Sequence, residues 1–189
     1  MPFKFLRAFT LGVAISLCFS AAAFAQSTIL VVDTQRVLRD SAVGKHIARQ
    51  LETISKSMDS EFKAKANPLQ NKAKSLEAQL KGKTAADLQT NTALQAQIKS
   101  FQSDQLKVRE DMAYKQRELQ ITEAKAVKQV NDRLKTILEA LVKERNADIV
   151  LERSLVIYGD PADVTDTVIS RLDSQMRTVS VIRERLPRK

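Results

Sequence analysis

Tryptophan is absent, and cysteine and histidine occur once each in 189 residues, with four glycines and four prolines. Each scarcity removes a class of chemistry. With Cys18 and His46 as the lone thiol and imidazole, the usual nucleophile–base pairings are out of reach, and no metal-ligand spacing exists around His46. The glycines are too scattered to build a phosphate-cradling loop. The composition therefore predicts no enzyme and no cofactor.

The first residues read as an address. Lys4 and Arg7 precede an uncharged apolar run over residues 8–22, and Ala23-Phe24-Ala25 places small residues where a signal peptidase reads. The run is short for a membrane span of about 20 residues. Leu17 before Cys18 is a poor lipidation context. Residues 1–25 are therefore expected to be a cleaved signal peptide, with export to the periplasm. Cleavage would remove the only cysteine, leaving a chain without disulfides in an oxidising compartment.

It would also remove five of the seven phenylalanines, leaving Phe62, Phe101, Tyr114 and Tyr158 as the aromatics. Four rings are few for a globular core, because aromatics carry much of the buried area. An elongated molecule is expected. The formal charge of +9, which becomes +7 without Lys4 and Arg7, favours anionic lipid or acidic protein as partners. Export argues against nucleic acid.

What is present is helix-forming sequence framed by short β-branched runs. Residues 28–33 (Thr-Ile-Leu-Val-Val-Asp) read as a strand. From about Gln35 to Asn146 the chain is rich in Ala, Leu, Lys, Gln and Glu. Strand character returns at Ile149-Val150-Leu151 and at Leu155-Val156-Ile157-Tyr158, followed by a turn at Gly159-Asp160-Pro161 and a short helix.

The central segment carries a narrow apolar stripe. Ile47, Leu51, Ile54, Met58 and Phe62 recur at steps of three and four, and the pattern resumes from Leu94 to Leu141. Such a stripe suits a coiled-coil seam. Polar residues interrupt it at Gln105 and around Lys115-Gln116, where the seam should loosen. Gly82 can end a helix in the left-handed conformation, and Thr84 with Asp87 resembles a capping box. In an antiparallel hairpin, facing residues share a constant sum of position numbers. Phe62 with Phe101, Leu69 with Leu94, and Leu51 with Met112 share 163. That register centres the hairpin between Lys81 and Gly82. Pro68 should kink or break the first arm. Strands too short to stand alone, and edges in need of partners, favour oligomerisation through the base.

The N-terminal Ile29-Leu30-Val31-Val32-Asp33, the long hairpin and the stretch Ala147-Asp148-Ile149-Val150-Leu151-Glu152-Arg153-Ser154 resemble the Skp (OmpH-like) periplasmic chaperone family. The resemblance spans about Ser27 to Leu172. It implies an α+β, mainly α fold: a coiled-coil hairpin projecting from a small β-rich oligomerisation body, three copies forming a jellyfish-like homotrimer around a cavity. It further implies an ATP-independent holdase that keeps unfolded outer-membrane β-barrel proteins from aggregating before insertion. On this reading residues 26–36 and 147–176 form the trimerisation body, residues 37–146 the arm with its tip near 81–84, and residues 177–189 a basic tail outside the family core, expected to be flexible. Lipopolysaccharide-binding positions of the family match no motif here.

Lys63, Lys65, Lys72, Lys74, Lys81 and Lys83 are the candidate contacts for acidic clients, anionic lipid or a lipopolysaccharide surface, against the alternative of an ordinary solvated helix face. Ile29, Val31, Ile149, Leu151, Val156 and Tyr158 are the candidate assembly residues, with Val156 and Tyr158 expected to pack in the base. Phe62, Phe101, Met58 and Met112 should pack in the seam, and His46 should lie on the surface. Two rival functions stay open: a coiled-coil spacer or adaptor of a cell-envelope complex, and a protein lying on anionic membrane.

Overall fold

The computed structural model describes residues 27–188. The signal peptide expected at residues 1–25 lies outside them. The order of elements is β1 (Ile29–Val32), α1 (Thr34–Asp40), α2 (Ala42–Leu80), α3 (Ala85–Thr90), α4 (Thr92–Arg145), β2 (Ile149–Glu152), β3 (Ala162–Asp163) and α5 (Thr165–Gln175). The fold is mainly α with one small sheet, as the sequence implies. Among the described residues no helix is long and apolar enough to cross a membrane.

The sheet is parallel throughout, in the order β2-β1-β3, with Ile29 opposite Ile149 and Leu30 opposite Ala162. The middle strand is covered on both faces, which explains its unbroken β-branched run: Leu30, Val31 and Val32 are all buried. Side chains from the connecting segments seal its end. Asp33 caps α1 by accepting from the Arg36 N–H at 2.7 Å, and its own N–H donates to Thr165 Oγ1 at 2.9 Å. Around the sheet, Val37, Val43 and Ile47 of the N-terminal helices meet Val130, Leu134, Ile137 and Leu141 of α4 and Val164, Val168 and Leu172 at α5.

The chain turns from α1 into α2 at Ser41, a buried residue whose hydroxyl accepts from the Gly44 N–H at 3.1 Å. The arm is α2 against α4, helices of 39 and 54 residues, or about 58 and 81 Å at helical rise. Several local readings of the sequence hold. Gly82 adopts a left-handed φ of 78°, and Thr84 and Asp87 form a capping box. Asn146 ends α4 with a φ of 47°, a conformation that asparagine tolerates better than most residues.

The pairing register does not follow the expected sum of 163. Lys65 meets Asp111, Lys72 meets Asp104 and Lys115 meets Glu61, pairs that each sum to 176. The far end is not a tight turn: α3 and its stop at Asn91 are inserted before α4 begins, so the second helix starts later than the sequence suggested. Ion pairs as well as apolar stripes set the alignment.

Pro68 lies inside α2, and the helix runs unbroken through it. Pro68, Asn67 and Ala64 all face outward, so the carbonyl deprived of its partner is at the hydrated surface, where the loss is smallest. Residues 155–158 do not form the second returning strand. Residues Arg153–Leu155 make a 3-10 turn, and the third strand is Ala162–Asp163. Two further expectations are corrected. His46 is partly buried, its Nε2 lying 3.2 Å from the Val179 carbonyl oxygen. The C-terminal tail does not hang free, because Val179 and Val181 pack against the core and the residues beyond follow the arm.

Candidate functional site

Two surfaces carry features that the fold itself does not need. The first is the distal arm. Leu76, Leu80, Ile98 and Phe101 floor an open groove of about 1000 Å³ between α2 and α4, and Lys74 and Lys81 stand on its rim. An apolar floor with a basic rim fits an unfolded acidic chain better than a small molecule, which would need an enclosed pocket.

The six candidate lysines separate into two groups. Lys65 reaches Asp111 at 2.9 Å, and Lys72 reaches Asp104 at 2.8 Å and Ser100 Oγ at 2.9 Å, so both tie α2 to α4. Lys63 pairs one turn back with Asp59 at 2.7 Å. Lys74, Lys81 and Lys83 are exposed and make no ion pair among the described residues. Any steering charge therefore falls mainly on these last three. The Lys72 ammonium bonded to Asp104 holds that carboxyl below its ordinary range.

Of the expected seam residues, Met58 is buried, and Phe62 and Phe101 are half-buried. Met112 is 47% exposed and lines a small surface groove with Met58 and Phe62. Methionine's flexible thioether suits such a position.

The second surface is the edge of the body. Ile157 and Tyr158 are each 99% exposed, and Leu155, Ile149 and Ile29 are partly exposed beside them. Ile29, Leu155, Ile157 and Tyr158 line a groove of about 760 Å³ together with Leu151, Val156 and Pro161. The two outer strands β2 and β3 border the same region, with unpaired edges. Among the candidate assembly residues, Ile29, Ile149 and Tyr158 are thus available, and Leu151 and Val156 partly so. Val31 is fully buried in the chain's own body and offers no surface to another copy. Tyr158 is not covered by its own chain, and Gly159 beside it adopts a φ of 107°.

Sequence reasoning missed a third feature, the polar centre of the arm. Asp111, Lys115, Glu118 and Thr122 are buried on one face of α4. Lys115 bonds Glu61, and Arg183 of the tail donates to Glu61 Oε1 at 2.8 Å and to Glu118 Oε2 at 2.8 and 3.0 Å. The hydrogen bonds from Lys115 and Arg183 lower the Glu61 carboxyl to about 2. Burial pushes Asp111 up, but Lys65, Arg188 and Lys115 outweigh it and leave the group lowered. Glu118 is balanced in the same way by Arg183 and the Leu186 N–H. All three carboxylates are therefore charged at neutral pH. The signal in the sequence was the polar interruption at Lys115-Gln116, read as looseness.

Among the described residues no cluster of three histidine, cysteine, aspartate or glutamate side chains could hold a metal ion. His46, the only described imidazole, faces a backbone carbonyl.

Residues 28–172 match the family model described as outer membrane protein (OmpH-like). The chain belongs to the OmpH-like family. Among solved structures, it is similar to a candidate outer membrane chaperone (OmpH-like) from Caulobacter crescentus CB15, at 27% identity and a TM-score of 0.69. That similarity covers 86% of this chain and 93% of the other. No curated protein matches significantly. The OmpH-like match ends at Leu172, so Arg183, which contacts Glu61 and Glu118, lies beyond it.

Proposed function

We propose that this OmpH-like protein is a periplasmic, non-enzymatic holdase chaperone that grips unfolded outer-membrane β-barrel proteins before insertion. The observation that carries the reading is the distal arm, where an open apolar groove is rimmed by unpaired lysines. Membership of the OmpH-like family and the description of the Caulobacter relative support it. The exposed apolar edge of the body supports self-association, as a homotrimer on the family pattern, through residues 26–36 and 147–176. Arms at residues 37–146 would then surround a shared space, where several weak contacts add through effective concentration. Basic rims add long-range attraction to acidic clients or to anionic lipid and lipopolysaccharide.

The direct test mixes the purified protein with a urea-unfolded outer-membrane barrel by dilution, without nucleotide. Light scattering should fall, and a complex of defined mass should appear. Undiminished scattering at molar excess would overturn the reading. Stoichiometric capture of a folded envelope protein in its place would favour the adaptor.

The lysines can be separated experimentally. Reversing Lys74, Lys81 and Lys83 to glutamate should slow client capture about tenfold at low salt and flatten its salt dependence. Reversing Lys65 and Lys72 should act differently, loosening the arm by breaking its cross-helix pairs. Stopped-flow capture rates at several salt concentrations, read beside far-UV circular dichroism, distinguish the two. Equal effects from both sets would refute the division.

A further inference from the structure

The stripe on α4 that packs in the body runs through Ala126, Val130, Leu134, Ile137 and Leu141, at steps of three and four. Continued outward at the same steps, it becomes Thr122, Glu118, Lys115 and Asp111, all still buried. One helix face thus changes from apolar to ionic without leaving the interior. Such a face is costly unless its charges are met. The hairpin alone meets them incompletely. Its own groups in this patch are Glu61, Asp111 and Glu118 against Lys65 and Lys115.

The tail supplies what is missing. From Ser180, whose carbonyl accepts from Gln129, to Arg188, which pairs with Asp111 at 2.5 Å, eight steps of tail follow eighteen of helix. At about 3.3 Å per extended residue and about 1.5 Å per helical residue both paths are close to 27 Å, so an extended strand stays in step with the helix. Its contacts are polar and directional. The Glu184 N–H donates to Thr122 Oγ1 at 2.9 Å, and Lys125 pairs with Glu184 at 2.8 Å. The Leu186 N–H donates to Glu118 Oε1 at 3.2 Å. The Arg183 side chain is 13% exposed and bridges Glu61 of α2 to Glu118 of α4, the latter only 2% exposed.

We infer that the groove between α2 and α4 at this polar centre, flanked by Glu61 and Glu118, is a receptor site for an extended, arginine-bearing segment, and that the chain's own C-terminal segment is its resident ligand. Residues 180–188 act as an intramolecular latch that holds the two helices of the arm together at mid-length. Bound, the latch neutralises the buried carboxylates and makes the middle of the arm a three-stranded unit. Released, it leaves Lys65 and Lys115 as the ion-pair links between the helices at this level, beside the Met58 and Phe62 packing, and the arm can splay there. The inference does not depend on what the arm carries.

Two measurements test it, both keeping the full chain through folding. In the first, Arg183→Gln and Arg188→Gln are combined and hydrogen exchange is followed. Amides of residues 58–65 and 111–122 should exchange about tenfold faster, while those of β1 and β2 stay protected. Unchanged exchange in the arm would overturn the latch. In the second, the folded protein is cut at a protease site placed between the exposed residues Arg177 and Thr178. A labelled peptide of residues 178–189 should exchange into the groove, and its Arg183→Gln form should bind at least about tenfold more weakly. A tail that dissociates on cutting and does not rebind, or equal binding by both peptides, would overturn the receptor site.

Discussion

Gly44→Ala is expected to destabilise the body by about 2–3 kcal/mol, which overpacking against backbone commonly costs. A Cβ at this position would lie 1.6 Å from the Leu38 carbonyl oxygen and 2.6 Å from its carbon. Both are main-chain atoms of α1, so no rotamer change relieves the clash, and α1 must move. Movement is expensive because Val37 and Val43, on either side of the bend, are fully buried against α4 and α5. The same shift would pull Ser41 from the Gly44 N–H it caps. Thermal and urea unfolding at fixed protein concentration measure the effect, since any self-association makes stability concentration-dependent. Gly82→Ala is the informative companion. That glycine has open space around it and only a positive φ to lose, so its cost should be nearer 1 kcal/mol. Equal losses at the two sites would refute the close-approach argument.

Ile157→Asp combined with Tyr158→Asp is expected to abolish self-association without unfolding the chain. Both side chains are exposed within one chain, so their own fold does not need them. Burying each in an interface would contribute about 2 kcal/mol, and placing a charge there would reverse the sign. Association should weaken by at least about a hundredfold for the pair. Sedimentation velocity across a concentration range reads the mass directly, with circular dichroism as the check on folding. Leu106→Asp, at an exposed position on the arm, should leave the mass unchanged. If the parent protein is monomeric, or the double variant keeps the parent's mass, assembly through this edge is wrong.

These two expectations differ in how far they could be read before the fold was known. The exposed edge was partly legible: Ile29, Ile149 and Tyr158 lie in β-branched or aromatic runs with too few partners in so short a body. Gly44 was not legible. It sits in good helix-forming sequence, and nothing local announces that Leu38 passes beside it. The pairing register failed for a related reason. An apolar stripe repeats every three or four residues, so several alignments match it almost equally. Ion pairs such as Lys65–Asp111 and Lys72–Asp104 distinguish among them, and lysine and aspartate are common enough to pair in many registers on paper.

The amino-acid sequence by itself determined the long hairpin ending near Asn146, the short strands at its base, the left-handed stop at Gly82 and the capped tip at Thr84. Each follows from interactions among residues a few positions apart: periodicity, capping hydrogen bonds, and the backbone freedom of glycine. Only the tertiary structure decided that Pro68 would be carried through an unbroken helix, that Val31 would be spent inside the body, and that the basic tail would lie along the arm. Those outcomes rest on groups far apart in the chain, Arg183 with Glu61 and Glu118 above all. A charge reads as solvated until the fold brings its counterion beside it and removes the water.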